Sequence, residues 1–165
     1  MRRGRRDVNT SRNVIRVVDN GGVMRDVVLQ TEGLTPGCAV VSTTGTDPLV
    51  PSGFDGSTGN MEGPSSATGN LPLAFVDISS ADGGNLTKVY RAGDSATVWF
   101  PPKGGQINVR VQGDAIVTVG TLLTPATDGS GLMTVGTAAN AVGQAIEDII
   151  DADTSLPTFV VMEVF

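Results

Sequence analysis

The stretch Gly113–Phe165 constrains the fold more than any other part of the sequence. Short runs rich in Val, Ile, Leu and Thr (Ala115–Val119, Thr121–Thr124, Leu132–Val135 and Thr158–Val164) alternate there with turn clusters at Pro125–Gly131, Gly136–Thr137 and Asp151–Ser155. Branched side chains suit a half-buried pleated surface, and Gly and Asp accept the backbone conformations of tight turns. A run, an Asp128-Gly129 turn and a second run predict a β-hairpin. The closing run Phe159–Phe165 is too apolar for a frayed tail and is expected to be a strand packed in the core.

Composition extends this to the whole chain. Its 165 residues fit about one domain and can bury a core. With 22 Gly and 9 Pro the chain has many turns and few long helices, and with 4% aromatics its core rests on Val, Ile, Leu and Ala. The expected class is all-β: a compact β-barrel or sandwich-like domain with an extended N-terminal arm and a long Gly/Ser/Pro-rich loop. Charged residues make up only 17%, low for a soluble monomer, which fits a surface largely covered by partner protein.

In chain order, residues 1–30 read as a basic arm and hairpin, and residues 31–165 as the β-rich domain. Val14–Val18 and Val23–Gln30 flank an Asp19–Gly22 turn. Leu34–Thr44 is a further strand unit. Residues 45–70 form the longest loop, with six Gly and three Pro, and loops of that length usually carry function or are disordered. Leu71–Ile78 reads as a buried strand, Thr87–Arg91 and Ser95–Phe100 as a pair around Ala92-Gly93-Asp94, and Gln106–Val111 as a strand resumed after Pro101–Gly105. The chain also resembles itself. Thr35–Thr44 lines up with Thr118–Thr127, and Leu73–Ile78 with Gly143–Asp148, either as a duplicated β unit or as chance similarity between Thr/Val/Gly-rich strands.

Several chemistries are excluded or weakened. The chain has one cysteine, Cys38, and no histidine, so a Cys–His pair and a zinc site built on His or several Cys are ruled out, as is an intramolecular disulfide. No cofactor is expected. The acidic positions Asp148, Asp151 and Asp153 could gather around Ca²⁺, but their spacing is not that of an EF-hand loop, and a solvated acidic turn is the reading favoured. Gly53-Phe54-Asp55-Gly56 lacks the Gly-Lys-Ser/Thr of a phosphate loop. No run of 18 apolar residues is present, so no helical membrane span is expected, and the basic N-terminus is not followed by the apolar region of a secretory signal.

The order "GDAIVTVGTLLTPATDGSG", then "AVGQAIEDI", then "TFVVMEVF" resembles the small head-decoration (cement) proteins of tailed viruses of bacteria and archaea. The likeness covers roughly the last third of the chain well and the middle third loosely. It implies a homotrimeric, non-enzymatic β-barrel protein on the capsid outer surface, whose partners are the major capsid protein and itself, with no direct nucleic-acid contact and no membrane. The alternative from a different class is a virion spike, fibre or host-attachment module with loop 45–70 as receptor-binding surface. The resemblance also bears on an ambiguous segment. Val142, Ala145, Ile146, Ile149 and Ile150 fall at helical spacing over Asn140–Ile150, whereas the resemblance implies a strand through Val142–Glu147, the reading favoured here.

Charge is unevenly placed. Residues 1–25 hold seven of the eleven basic residues and two acids, a net +5, and residues 26–165 carry a net −11. A basic arm on an acidic body can reach a negative partner while the body stays soluble. The arm residues Arg2, Arg3, Arg5, Arg6, Arg12 and Arg16 are the candidate capsid contacts; nucleic-acid binding and a solvated tail are the other readings. No aromatic residues interleave these arginines, which weakens the case for single-stranded nucleic acid.

Overall fold

The computed structural model describes residues 15–18, 21–43, 59–65, 73–78, 85–149 and 158–165. They form no helix. The strands are β1 Arg16–Val18, β2 Val23–Leu29, β3 Ala39–Ser42, β4 Asn60–Glu62, β5 Leu73–Val76, β6 Ser95–Phe100, β7 Gln106–Val111, β8 Leu122–Pro125, β9 Met133–Val135, β10 Gly143–Ala145 and β11 Thr158–Val164. The protein is all-β, as expected, and its strands close into two barrels. The first runs β2-β4-β3-β5-β6; the second runs β7-β11-β10-β8-β9, closed by pairing of β9 with β7, with β1 added on β7.

The barrels are copies of one plan. In the first, β2 lies parallel to β4 with Leu29 opposite Met61; in the second, β7 lies parallel to β9 with Val111 opposite Met133. Ser42 opposite Met61 matches Pro125 opposite Met133, and Ala39 opposite Phe75 matches Leu122 opposite Gln144. Phe75 opposite Trp99 matches Gln144 opposite Glu163, and Met24 opposite Trp99 matches Gln106 opposite Glu163. The turns repeat as well. Cys38 N–H donates to Thr35 O at 3.1 Å, and Thr121 N–H to Thr118 O at 2.9 Å; Gly37 and Gly120, inside these turns, both have φ of +88°, a conformation L side chains rarely adopt. A duplicated unit, rather than chance similarity, accounts for the two segments that line up in sequence. The alignment of Thr35–Thr44 with Thr118–Thr127 is the structural one. That of Leu73–Ile78 with Gly143–Asp148 is one residue out, because Val76 corresponds to Ala145: Val76 N–H donates to Cys38 O and Ala145 N–H to Thr121 O, both at 2.9 Å.

Inward positions make the cores. Val27, Leu29, Leu34, Val40, Met61, Val76, Tyr90 and Val98 fill the first barrel. Val109, Val111, Val117, Leu123, Met133, Ala145, Val160 and Met162 fill the second, and Ile15, Ala39, Phe75 and Trp99 extend that cluster across the junction. Each fully buried Val, Leu, Phe or Met contributes roughly 1.5–3 kcal/mol by leaving water.

Several sequence expectations are corrected. β1 and β2 do not form a hairpin: β1 pairs with β7 of the second barrel, and β2 with β6 and β4 of the first. β2 is therefore a stave of a barrel and not part of an arm. Thr87–Arg91 is not a strand beside β6; only Tyr90 bridges, to Leu34, and Asp94 Oδ2 accepts the Arg91 N–H at 2.8 Å to hold the turn between them. Ala115–Val119 is irregular apart from its final turn, with Val117 alone dipping into the core. Loop 45–70 contains β4, and of that range only residues 59–65 are described. Between 140 and 150 the chain takes a strand, β10, not a helix. The hairpin across Asp128-Gly129 (β8 with β9) and the closing strand β11 stand as expected.

Candidate functional site

The best-built polar assembly lies where the barrels meet. β1 crosses to the second barrel because Asn108 N–H donates to Ile15 O at 2.8 Å and Ile15 is buried beneath it. The next residue, Arg16, ion-pairs with Asp77 of the first barrel at 2.8 Å; the Asp77 side chain is 6% exposed and that of Arg16 34%. Asp77 Oδ1 also accepts the Ile78 N–H at 2.8 Å. Arg110 makes the second link. Its backbone N–H donates to Gly37 O at 3.1 Å, its Nε to Pro36 O at 2.9 Å and its Nη2 to Leu86 O at 2.8 Å. The guanidinium lies 4.4 Å from the Phe159 ring centroid. Burial lowers its pKa from the ordinary value, yet an arginine so placed stays charged and supplies a rigid donor fork.

A third link comes from the β8–β9 loop. Gly129 N–H donates to Pro64 O at 2.9 Å, and Ala39 N–H to Gly131 O at 2.7 Å. The approach at Gly63 is so close that a Cβ there would collide with the Gly129 carbonyl. Inside the loop, the Ser130 hydroxyl and N–H both donate to Asp128 Oδ1, which holds the Asp128 carboxyl below the usual carboxylate range. The three links fix the two barrels against each other.

Of the predicted contact residues, Arg2, Arg3, Arg5, Arg6 and Arg12 lie outside the described residues, and Arg16 sits at the barrel junction with its guanidinium engaged by Asp77. Asp151 and Asp153 also lie outside them; Asp148 Oδ1 accepts the Val119 N–H at 2.7 Å and so ties a turn. Among the described residues no three His, Cys, Asp or Glu side chains come together as a metal site. Cys38 is buried, with its Sγ 3.5 Å from Thr35 Oγ1, in the place that Thr121 takes in the second barrel. No described helix is long and apolar enough to cross a membrane.

A cleft of about 260 Å³ opens beside the junction, walled by Leu73, Phe75, Pro101, Val142, Met162 and Phe165. Its walls carry no acid, base or nucleophile, so the cleft suits burial of apolar surface. Asp77, Asn108 and Arg110 were not singled out from the sequence. A polar residue inside an otherwise apolar strand, such as Asn108 between Ile107 and Val109, is the one signal that marked them. No protein-family model matches the chain, and no curated protein matches it at a significant level.

Proposed function

We propose that this chain is a non-enzymatic structural protein that decorates the outer surface of a tailed virus's icosahedral capsid. It acts as a homotrimer that bridges major capsid protein subunits and braces the shell against packaged DNA. The observation that carries this reading is the stretch Gly113–Phe165, whose order of strands and turns resembles the cement proteins. It supplies β8, β9, β10 and β11, four of the five staves of the second barrel. The resemblance therefore follows a folding unit and not scattered patches. A second support is mechanical: two barrels locked by Arg16–Asp77, Arg110 and the β8–β9 loop form a stiff body suited to a brace.

Attachment is assigned to the arm. Arg2, Arg3, Arg5, Arg6 and Arg12 reach acidic groups of the capsid, and Arg16, held by Asp77, anchors the arm's base. Arginine forks bind carboxylates through paired hydrogen bonds, and exposed charges are screened within about 10 Å at 0.1 M salt. Replacing Arg2, Arg3, Arg5 and Arg6 with Ser should leave melting nearly unchanged and reduce occupancy on undecorated particles, counted by cryo-electron microscopy over a salt series. Wild-type occupancy by this variant at every salt concentration refutes the arm's role. Absence of the wild-type protein from the particles refutes the whole reading, and binding to cells or glycans instead favours a host-attachment module.

A further inference from the structure

The two barrels meet through unlike faces. The first barrel contributes Pro36, Ala39, Phe75 and Trp99, all buried. The second contributes the outer side of β7 and β11, where Asn108 and Val161 are buried. Because the barrels repeat position by position, each face has a counterpart on the other barrel. The counterparts of Pro36, Ala39 and Gly63 are Val119, Leu122 and Val135; Val119 is 64% and Val135 49% exposed. The counterparts of Gln106, Ile107 and Asn108 are Met24, Arg25 and Asp26, all exposed. β1 lies along the β7 edge at Ile107 and Gln106, whereas β4 reaches β2 only at Val28 and Leu29. Among the described residues, no strand runs beside the outer edge of β2 from Met24 to Asp26.

We propose that these two unused faces bind each other between copies. The second-barrel face of one copy (Val119, Leu122, Val135) seats on the first-barrel face of the next (Met24, Arg25, Asp26), in the arrangement of the contact within one chain but without its Arg110 links, since the counterpart of Arg110 is Val28, whose N–H donates to Gly59 O. This rests on the homotrimer of the reading above and supplies its interface. The occupant is a second copy because, among the described residues, each chain carries one uncovered face of each kind and already joins two such unlike faces within itself. A contact between unlike faces leaves one of each free until a ring closes, and the homotrimer is the ring of three that uses every face. The chemistry agrees. Exposed Val119 and Val135 meet exposed Val23 and Met24. Glu163 stands where Trp99 stands in the first barrel; Trp99 lies against Gly105, whose counterpart is Val23, so Glu163 comes beside Val23, two residues along the strand from the oppositely charged Arg25. An open strand edge is also a liability that natural proteins cover.

Two variants disable the faces separately: Val119→Lys with Val135→Lys, and Met24→Pro. These side chains are exposed. Met24 lies four residues before Val28, whose N–H points away from β6 to Gly59 O at 3.0 Å, so Pro at 24 removes only an edge-facing donor. Should Met24→Pro not melt cooperatively, Met24→Lys with Arg25→Glu gives the same readout without altering the backbone. Light scattering is expected to give three chain masses for wild type and one for each variant alone. An equimolar mixture of the two variants is expected to give a one-to-one heterodimer, since each retains the face the other lacks. Trimers persisting in both variants overturn the proposed interface and leave the trimer reading intact, and a mixture that stays monomeric overturns the pairing of unlike faces. A wild type that is monomeric both in solution and on particles overturns this proposal and the trimer together.

Discussion

Met61 and Met133 occupy the same station in two copies of one barrel. Each is fully buried, each lies on the strand parallel to its barrel's first stave, and each carbonyl accepts a backbone N–H from the residue just past that stave: Gln30 at 2.8 Å and Gln112 at 2.9 Å. Methionine fills irregular core gaps, which suits the narrow seam where a parallel pair closes an otherwise antiparallel barrel. Truncation of either to Ala should cost about 2–5 kcal/mol. Urea unfolding of the two variants is the measurement; a loss at one site with under about 0.5 kcal/mol at the other would show that the stations are not equivalent.

The turn glycines separate conformation from space. Gly37 and Gly120 share φ of +88°, but a Cβ on Gly37 would sit 2.7 Å from the Phe159 ring, whereas at Gly120 nothing lies within 4 Å. Ala at Gly120 should cost about 1–2 kcal/mol, the left-handed strain alone. At Gly37 the Ala variant must also displace the contact between barrels and should cost clearly more. Equal melting shifts for the two variants would contradict this.

The Arg16–Asp77 pair should be sensitive to loss of one partner. Removing one member of a buried pair costs about 3–5 kcal/mol, and the partial exposure of Arg16 reduces this to about 1–3 kcal/mol. Asp77→Ala should cost more than Arg16→Ala, since it also frees the Ile78 N–H. A double-mutant cycle by chemical denaturation reads the coupling, and a coupling indistinguishable from zero would reduce the pair to a surface contact.

Deletion of Thr158–Phe165 should abolish folding. β11 pairs with β7 along six positions and with β10 along three, and it buries Val160, Val161 and Met162. Those side chains contribute roughly 1.5–3 kcal/mol each against a total stability of about 5–15 kcal/mol. A soluble truncated protein with a cooperative melt would place β11 outside the folding unit.

The sequence by itself determined the class and most of the staves. Gln106–Val111 and Thr158–Val164 are strands at the expected bounds, and β8 and β9 fall within a residue of theirs. Alternation of side chains and the conformational needs of Gly, Asp and Pro are local properties, legible in a short window. The tertiary structure alone decided which strand lies beside which. Asp19–Gly22 and Pro101–Gly105 read as punctuation between neighbouring strands, yet β1 and β2 belong to different barrels, as do β6 and β7. A turn sequence specifies a change of direction, not a pairing partner; the partner follows from which apolar faces can be closed against water at long sequence separation. The same holds at the junction. Asp77 and Asn108 are polar residues in apolar runs; the docking of one barrel on the other brings Asp77 to Arg16, and the laying of β1 along β7 gives the Asn108 N–H the Ile15 carbonyl.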